Sequence, residues 1–212
     1  MRSPKKKEEV RKELNCSLKR PVPTRWNSLF DSWKQLFDKW KLITSTEVQN
    51  IVSMLNEFDY SDYDHIREYL LWNEPLAKCI DKLQGEDNMY YGYVLPTLLN
   101  LRLKWKNLLQ GNKLTITSKM VLREMMAHLE TRFADFFEIE NAGKEAALAA
   151  LMHPKFKASW MYLLEETEQS KVLSLLRSLI RDEEEIVEEP EPMSQDDDDF
   201  FEFDPMEGQR LI

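Results

Sequence analysis

Apolar side chains recur at steps of three and four residues along most of the chain, and this spacing constrains the fold more than any other feature. Such steps place side chains on one face of an α-helix, whereas a half-buried β-strand alternates apolar and polar residues. No alternating stretch is long enough to indicate a sheet, and only five glycines occur. The sequence therefore predicts an all-α, multi-helix bundle. The clearest helical run is Trp26, Leu29, Phe30, Trp33, Leu36, Phe37, Trp40 and Ile43.

Proline and capping residues indicate where the helices begin and bend. Thr24, which follows Pro23, fits the N-cap of the first helix. Pro75 should kink its helix or restart it, because the ring removes a backbone donor and crowds the preceding turn. Further helices are predicted over residues 48–58, 61–83, 90–109, 118–133 and 170–185, and another carries Phe156, Trp160 and Leu163.

Charge divides the chain into three parts. The formal net charge is −9, but residues 1–20 carry eight Lys/Arg against three Glu, and residues 182–212 carry fourteen Asp/Glu against one Arg. The part between them is nearly neutral, which does not favour strong phosphate binding. We therefore predict a basic flexible N-terminus (1–22), a helical domain (23–186) and an acidic tail (187–212). The tail should be disordered, because it buries too little apolar area to offset the entropy of ordering.

The termini and the cysteines bear on localisation. No apolar run approaches the roughly 20 residues that span a bilayer, and no signal-peptide stretch opens the chain. Cys16 and Cys79 form no close pair, which favours reduced thiols in an intracellular protein. The Pro4–Lys7 segment, PKKK, is read either as a nuclear-import signal or as a solvated terminus. We expect a nuclear, otherwise cytoplasmic, protein that is neither secreted nor membrane-bound.

Residue types that carry catalysis or bind metals and cofactors are sparse. A zinc site needs several cysteine or histidine ligands, commonly in closely spaced pairs. No phosphate-binding glycine loop and no GxSxG nucleophile motif occurs. We therefore predict no catalytic residue, no metal ligand, no cofactor and no small-molecule substrate. The cysteines and histidines all stand apart in the sequence: Cys16, Cys79, His65, His128 and His153.

Three segments, in this order, resemble one family. Val22–Trp33, VPTRWNSLFDSW, resembles the TRWNS segment of hAT-superfamily transposases and their domesticated zinc-finger BED-type relatives. Tyr69–Lys104 resembles that family's PLA..ID.LQGE...YG..LPTL pattern. Ala146–Trp160 resembles its A..LDPRFK..W segment, with His153 in place of the aspartate and Lys155 in place of the arginine. The resemblance covers the chain from about residue 23 to about residue 162.

The resemblance implies the helical insertion of an RNase H-like transposase. In that family, three carboxylates hold divalent metal ions for DNA transposition, and the chemistry needs all three. Its two aspartates precede the TRWNS-like segment, whereas the first aspartate here is Asp31. The expected function is therefore a catalytically inactive, transposase-derived module that acts through protein or DNA contacts. The alternative is a truncated part of an active transposase whose carboxylates lie outside this chain.

Two sets of residues are candidates for contacts with partners. The resemblance implies that the helical insertion could contact DNA, and the candidates are Arg25, Trp26, Lys34 and Lys41. Phe30, Trp33 and Phe37 are read as core, since burying one such side chain contributes about 1.5–3 kcal/mol without any ligand. In the tail, Phe200, Phe201 and Phe203 alternate with acids, which is typical of docking segments. A solvated linker is the other interpretation of the tail, and nuclear proteins are the expected partners.

Overall fold

The computed structural model describes residues 8, 11–12, 15–25, 27–40, 60–84 and 90–185. The regular secondary structure in these ranges is helical, with no β-strand, which confirms the predicted all-α class. None of their helices is long and apolar enough to cross a membrane. The helices are α1 (Ser28–Trp40), α2 (Tyr60–Leu83), α3 (Val94–Gln110), α4 (Ile116–Arg132), α5 (Ala134–Phe137), α6 (Ala142–Met152) and α7 (Glu166–Glu185), with 3-10 turns η1 (Tyr91–Tyr93) and η2 (Met161–Leu163).

Backbone contacts divide the chain into two compact units, Met1–Leu175 and Leu176–Ile212, and the division falls inside α7. The helix predicted over residues 48–58 and the acidic tail lie outside the described residues. The domain boundaries at residues 22/23 and 186/187 therefore stay predictions.

Helix α3 lies at the centre of the main core. Its Leu95 and Trp105 are almost fully buried, and small side chains on α6 let that helix approach closely. Burial of each large apolar side chain contributes about 1.5–3 kcal/mol, so this core dominates the stability of the unit. Its most buried members are Leu95, Leu98, Leu99, Trp105, Leu122, Ile139, Ala146, Ala147, Ala150 and Val172.

A smaller core joins α1 to α2. Phe37 packs with Ile66 and Leu70, and the half-buried Phe30 and Trp33 cover them. The core reading of Phe30, Trp33 and Phe37 is therefore confirmed. Leu29, which shares their helical spacing, instead remains 44% exposed.

The TRWNS segment holds the start of α1 against α2. The buried Asn27 donates through Nδ2 to the Ala77 carbonyl at 3.0 Å and to Asp81 Oδ1 at 2.6 Å. Its own carbonyl accepts from the Asp31 N–H at 2.9 Å, the first bond of the helix. The predicted start at Thr24 is therefore wrong by a few residues, because turns occupy residues 23–25.

The Ser28 hydroxyl stabilises these turns. It accepts from the Val22 N–H at 2.9 Å and lies 2.7 and 2.8 Å from the carbonyl oxygens of Val22 and Arg25. Its single proton serves one carbonyl at a time. The incoming chain is therefore fixed just before the first helical turn.

Helix α2 continues through Pro75 from Tyr60 to Leu83, so the alternative of a restart is wrong. Proline removes one helical donor and crowds the carbonyls of the preceding turn. At this turn the Trp105 indole N–H donates to the Trp72 carbonyl at 2.9 Å. The bond satisfies a buried indole and ties α3 to α2.

Glu68 of α2 caps the start of α4. One of its oxygens, Oε2, accepts from the Thr115 N–H at 3.1 Å, the Thr115 hydroxyl at 2.8 Å and the Ser118 hydroxyl at 2.5 Å. Burial alone would raise the pKa of this carboxyl, but these bonds and the charge of Arg67 outweigh it, so the pKa is lowered. Because Thr115 is the N-cap, α4 begins at Ile116, two residues before the predicted start.

The helix predicted to carry Phe156, Trp160 and Leu163 is wrong. The chain leaves α6 at an extended His153 before Pro154, turns through residues 154–160 and forms only the short η2. A residue before proline is biased toward extended backbone, and Lys157 has a positive φ of 48°, so no helix continues here. Trp160 is nevertheless buried at 3% exposure.

Gly92 permits the closest approach between η1 and α6. A Cβ at this position would lie 2.5 Å from the Ala149 carbonyl oxygen, far inside a normal contact. We expect Gly92→Ala to lower the free energy of unfolding by about 1–3 kcal/mol, as overpacking does. Thermal denaturation followed by circular dichroism measures this loss. Gly111→Ala is the matched control, since its Cβ would meet nothing closer than 3.4 Å. Equal melting temperatures for the two variants would contradict this packing.

Glu68 should make the stability of the bundle depend on pH. Its pKa is lower in the folded protein, so its contribution is full above the unfolded-state pKa of about 4.5 and is lost as pH falls through the folded value. We expect Glu68→Gln to cost about 1–3 kcal/mol at pH 7 and less below pH 4. Urea denaturation between pH 3 and 7 measures the difference. The exposed Glu130→Gln is the control, and a pH-independent loss in Glu68→Gln would refute the role of the charge.

Candidate functional site

A groove crosses α1, α2 and α3 on the surface of the first unit. It consists of three adjoining depressions with volumes of about 570, 380 and 220 Å³. The first two share Leu71, Glu74, Asn112 and Lys113, and the second and third share Pro75, Lys78 and Lys104. We call it the basic groove, after its cationic lining residues: Lys34, Arg67, Lys78, Lys82, Lys104, Lys113 and Lys155.

Few acids offset these cations. Among the described lining residues, the carboxylates are Asp38 and Glu74. Glu74 Oε1 lies 2.7 Å from Lys78 Nζ, and Arg67 pairs with Asp64, outside the lining, at 3.3 Å. Both pairs are exposed and therefore weak. The groove has an excess of positive charge although the chain as a whole is acidic.

Lysines from three helices converge on Glu74. The Lys78 ammonium donates a hydrogen bond to this carboxyl, and Lys34 and Lys104 add their charge, so its pKa is held below the ordinary value. Lys34 belongs to α1, Lys78 to α2 and Lys104 to α3. The cluster therefore exists only where the three helices pack together.

The floor of the groove is apolar. Leu70, Leu71 and Pro75 line it between the cations. Cys79 lies at the third depression and is 7% exposed, and burial raises the pKa of its thiol to about 11. The thiol is therefore protonated at neutral pH and is a poor nucleophile.

Aromatic side chains close one end of the groove. Tyr93 and Phe156 line the third depression, with ring centroids 4.9 Å apart and edge to face. Lys155 Nζ lies 5.2 Å from the centroid of Tyr93. His153 and the exposed Tyr90 complete the cluster, at 4.9 and 6.4 Å from the Tyr93 ring. We call these four rings, Tyr90, Tyr93, His153 and Phe156, the tyrosine cluster.

The structure places two of the residues selected from the sequence for DNA contacts. Lys34 is exposed and lines the basic groove, with its Nζ 5.8 Å from the Phe30 ring centroid. Arg25 is exposed in the turn before α1 and does not line the groove. Trp26, Lys41, Phe200, Phe201 and Phe203 lie outside the described residues.

Most of the cations in the groove were missed by the sequence analysis. Lys78 and Lys82 are four residues apart, which indicates a shared helix face, and that local signal was available. Lys104 and Lys113 join them only through the packing of α3 on α2. The sequence positions of Lys104 and Lys113 do not indicate that these residues lie beside Lys78 and Lys82.

The histidines and cysteines were read as isolated residues. Among the residues that the structure describes, no group of three or more His, Cys, Asp or Glu side chains is placed to hold a metal ion. His153 belongs to the tyrosine cluster, where its Nδ1 accepts from the Lys155 N–H at 3.2 Å.

No protein-family model, no curated protein and no solved structure matches this chain. The resemblance to hAT-superfamily transposases therefore stays a prediction based on the three segments. The structure does bring these segments into contact. Asn27 of the first bonds to Ala77 of the second, and Gly92 of the second packs on Ala149 of the third.

The buried thiol of Cys79 allows a test of the groove floor. At pH 8 its raised pKa leaves roughly a hundredfold less thiolate than an ordinary cysteine has. In a Cys16→Ser variant, we expect an aromatic disulfide reagent to modify Cys79 slowly in the native state and rapidly in guanidinium. Stopped-flow absorbance measures both rates. Cys79→Ser, which keeps the half-buried Cys16, is the comparison. Equally fast labelling of native and unfolded protein would contradict the burial.

Proposed function

We propose that this helical module binds nucleic acid through the basic groove. The observation that carries the proposal is the convergence of Lys34, Lys78 and Lys104 around Glu74, inside a groove lined by further cations. Cationic side chains that meet phosphates displace condensed counterions, and this release drives binding that does not depend on sequence. The groove supplies such side chains on a connected surface.

The arrangement of the cations fits a phosphate chain. Arg67 and Lys82 are 15 positions apart on α2, which corresponds to about 22 Å along the helix axis. At about 3.4 Å per nucleotide of a B-form strand, that length matches roughly six nucleotides. An extended polyanion with charge at every unit suits this lining better than a peptide with scattered acids. An acidic protein is the competing ligand, and the experiment below includes it.

The proposal fits the family resemblance without requiring cleavage of DNA. We propose a transposase-derived module that acts by binding rather than by catalysis and that works in the nucleus, where nucleic acid is the abundant polyanion. Lys34, one of the residues selected from the sequence, then acts with Lys78 and Lys104. Proteins that associate through the acidic tail would be additional partners.

The double variant Lys82→Ala/Lys104→Ala tests the groove. Both residues are exposed, and we expect lower affinity for a fluorescent 20-nucleotide DNA at 50 mM salt. Each lost phosphate contact should make the slope of log K against log[salt] shallower by roughly 0.7–0.9. Fluorescence anisotropy across a salt series measures both quantities.

The control variant has the same net charge as the test variant, but its two substitutions lie outside the basic groove. Lys106 is an exposed lysine two residues from Lys104 on α3, hence about 200° around the helix, and Arg123 is exposed on α4. We expect Lys106→Ala/Arg123→Ala to retain wild-type affinity and slope. Equal losses in the two double variants would show binding to net charge alone. A poly-glutamate competitor that displaces DNA as well as unlabelled DNA does would favour an acidic protein ligand.

A further inference from the structure

We infer that the tyrosine cluster stacks an unpaired base, so that the nucleic acid held in the basic groove is single-stranded. The inference rests on the proposed function and adds the class of ligand. The inference depends on aromatic side chains, whereas the proposed function depends on lysines. Base stacking can therefore be disproved while binding through the groove still holds.

The position of the cluster supports the inference. Tyr93 and Phe156 line the same depression as Lys78, Lys82 and Lys104. A strand whose phosphates follow these lysines would bring its bases to the aromatic end of the groove. Alternating cations and aromatic rings are how proteins bind single strands without reading their sequence.

The packing of the cluster leaves one ring available. Tyr93 and Phe156 are half-buried and meet each other and His153 at 4.9–5.1 Å, so they support one another. Tyr90 lies outermost, is 57% exposed and is nearly parallel to Tyr93, with an interplanar angle of 26°. A ring this exposed contributes little to the core. Because Tyr90 packs on Tyr93 and His153, it enlarges the aromatic surface that these rings form.

The neighbouring Tyr91 has a different role. It is 42% exposed, but its hydroxyl donates to the Ala142 carbonyl at 3.1 Å and so fixes η1 to the start of α6. That bond holds the backbone on which Tyr90 and Tyr93 sit. The supporting structure is therefore anchored, while the outer face of Tyr90 is left for a ligand.

Lys155 provides the charge beside the rings. Its Nζ lies 5.2 Å from the Tyr93 centroid and 5.8 Å from that of Phe156. A cation over aromatic faces is held there by the ring quadrupoles. The phosphate next to a stacked base would then meet Lys155.

A duplex cannot use this surface in the same way. Within a duplex, each base face is covered by its neighbours, and exposing one requires the energy of unstacking. A single strand offers its base faces without that cost. The tyrosine cluster should therefore favour single strands, whereas the lysines act on the phosphates of both forms.

The test compares Tyr90→Leu with wild type on two probes, a fluorescent 12-nucleotide oligothymidine and a 12-base-pair duplex. Loss of one base stacked on an aromatic ring should weaken binding of the single strand by about 5- to 150-fold. Duplex affinity should change by less than about twofold. Tyr90→Phe keeps the ring and should restore single-strand binding.

The matched control is Tyr162→Leu, since Tyr162 is 74% exposed and, unlike Tyr90, is not a member of the tyrosine cluster. It should bind both probes like wild type, and all variants should melt at the wild-type temperature. Unchanged single-strand affinity in Tyr90→Leu, or equal loss on both probes, overturns the inference. If Lys82→Ala/Lys104→Ala still weakens binding in that case, the proposed function stands. If wild type binds neither probe, both fail.

Discussion

Hydrogen bonds from three buried side chains tie α2 to its neighbours, and the described part of the bundle depends on them. Asn27 bonds to the backbone of α2 at Ala77, Glu68 caps α4, and the Trp72 carbonyl accepts from Trp105 of α3. An unsatisfied buried polar group costs about 1–3 kcal/mol. Hydrophobic burial drives the association, but these directional bonds select one register for each neighbour of α2.

The fixed registers account for the basic groove. Because α1 and α3 are each tied to α2, lysines that are 26 and 44 positions from Lys78 in the sequence (Lys104 and Lys34) reach the same carboxylate. The Asn27 tie also joins the first two of the three segments on which the predicted family resemblance rests, and the close approach at Gly92 joins the second to the third. The residues in those segments have clear structural roles here: Asn27 as a tie and Gly92 as a point of close approach. The proposed binding surface thus uses geometry that the folding contacts already provide.

The sequence predicted helices well where apolar residues repeat regularly along one face. The spacing of Phe30, Trp33 and Phe37 indicated a buried face, and the structure confirms it. Prediction failed at Trp160, where the extended His153 before Pro154 and the positive φ of Lys157 end the helix, and the ring is buried from a turn instead. Most of the basic groove could not be predicted from the sequence. Net charge is a sum over the whole chain, so it does not show that lysines are separated from acids on the folded surface. The Lys78–Lys82 spacing was a local sign of the groove, and Lys34 was the one described lining residue selected from the sequence for DNA contact.

The crowding of ammonium groups around Glu74 has an energetic consequence. One carboxylate compensates only part of the charge of Lys34, Lys78 and Lys104, and the remaining like charges repel across the seams between α1, α2 and α3. Because these side chains are exposed and screened by solvent, the repulsion costs little stability. A bound anion would offset it without displacing any contact that holds the helices together.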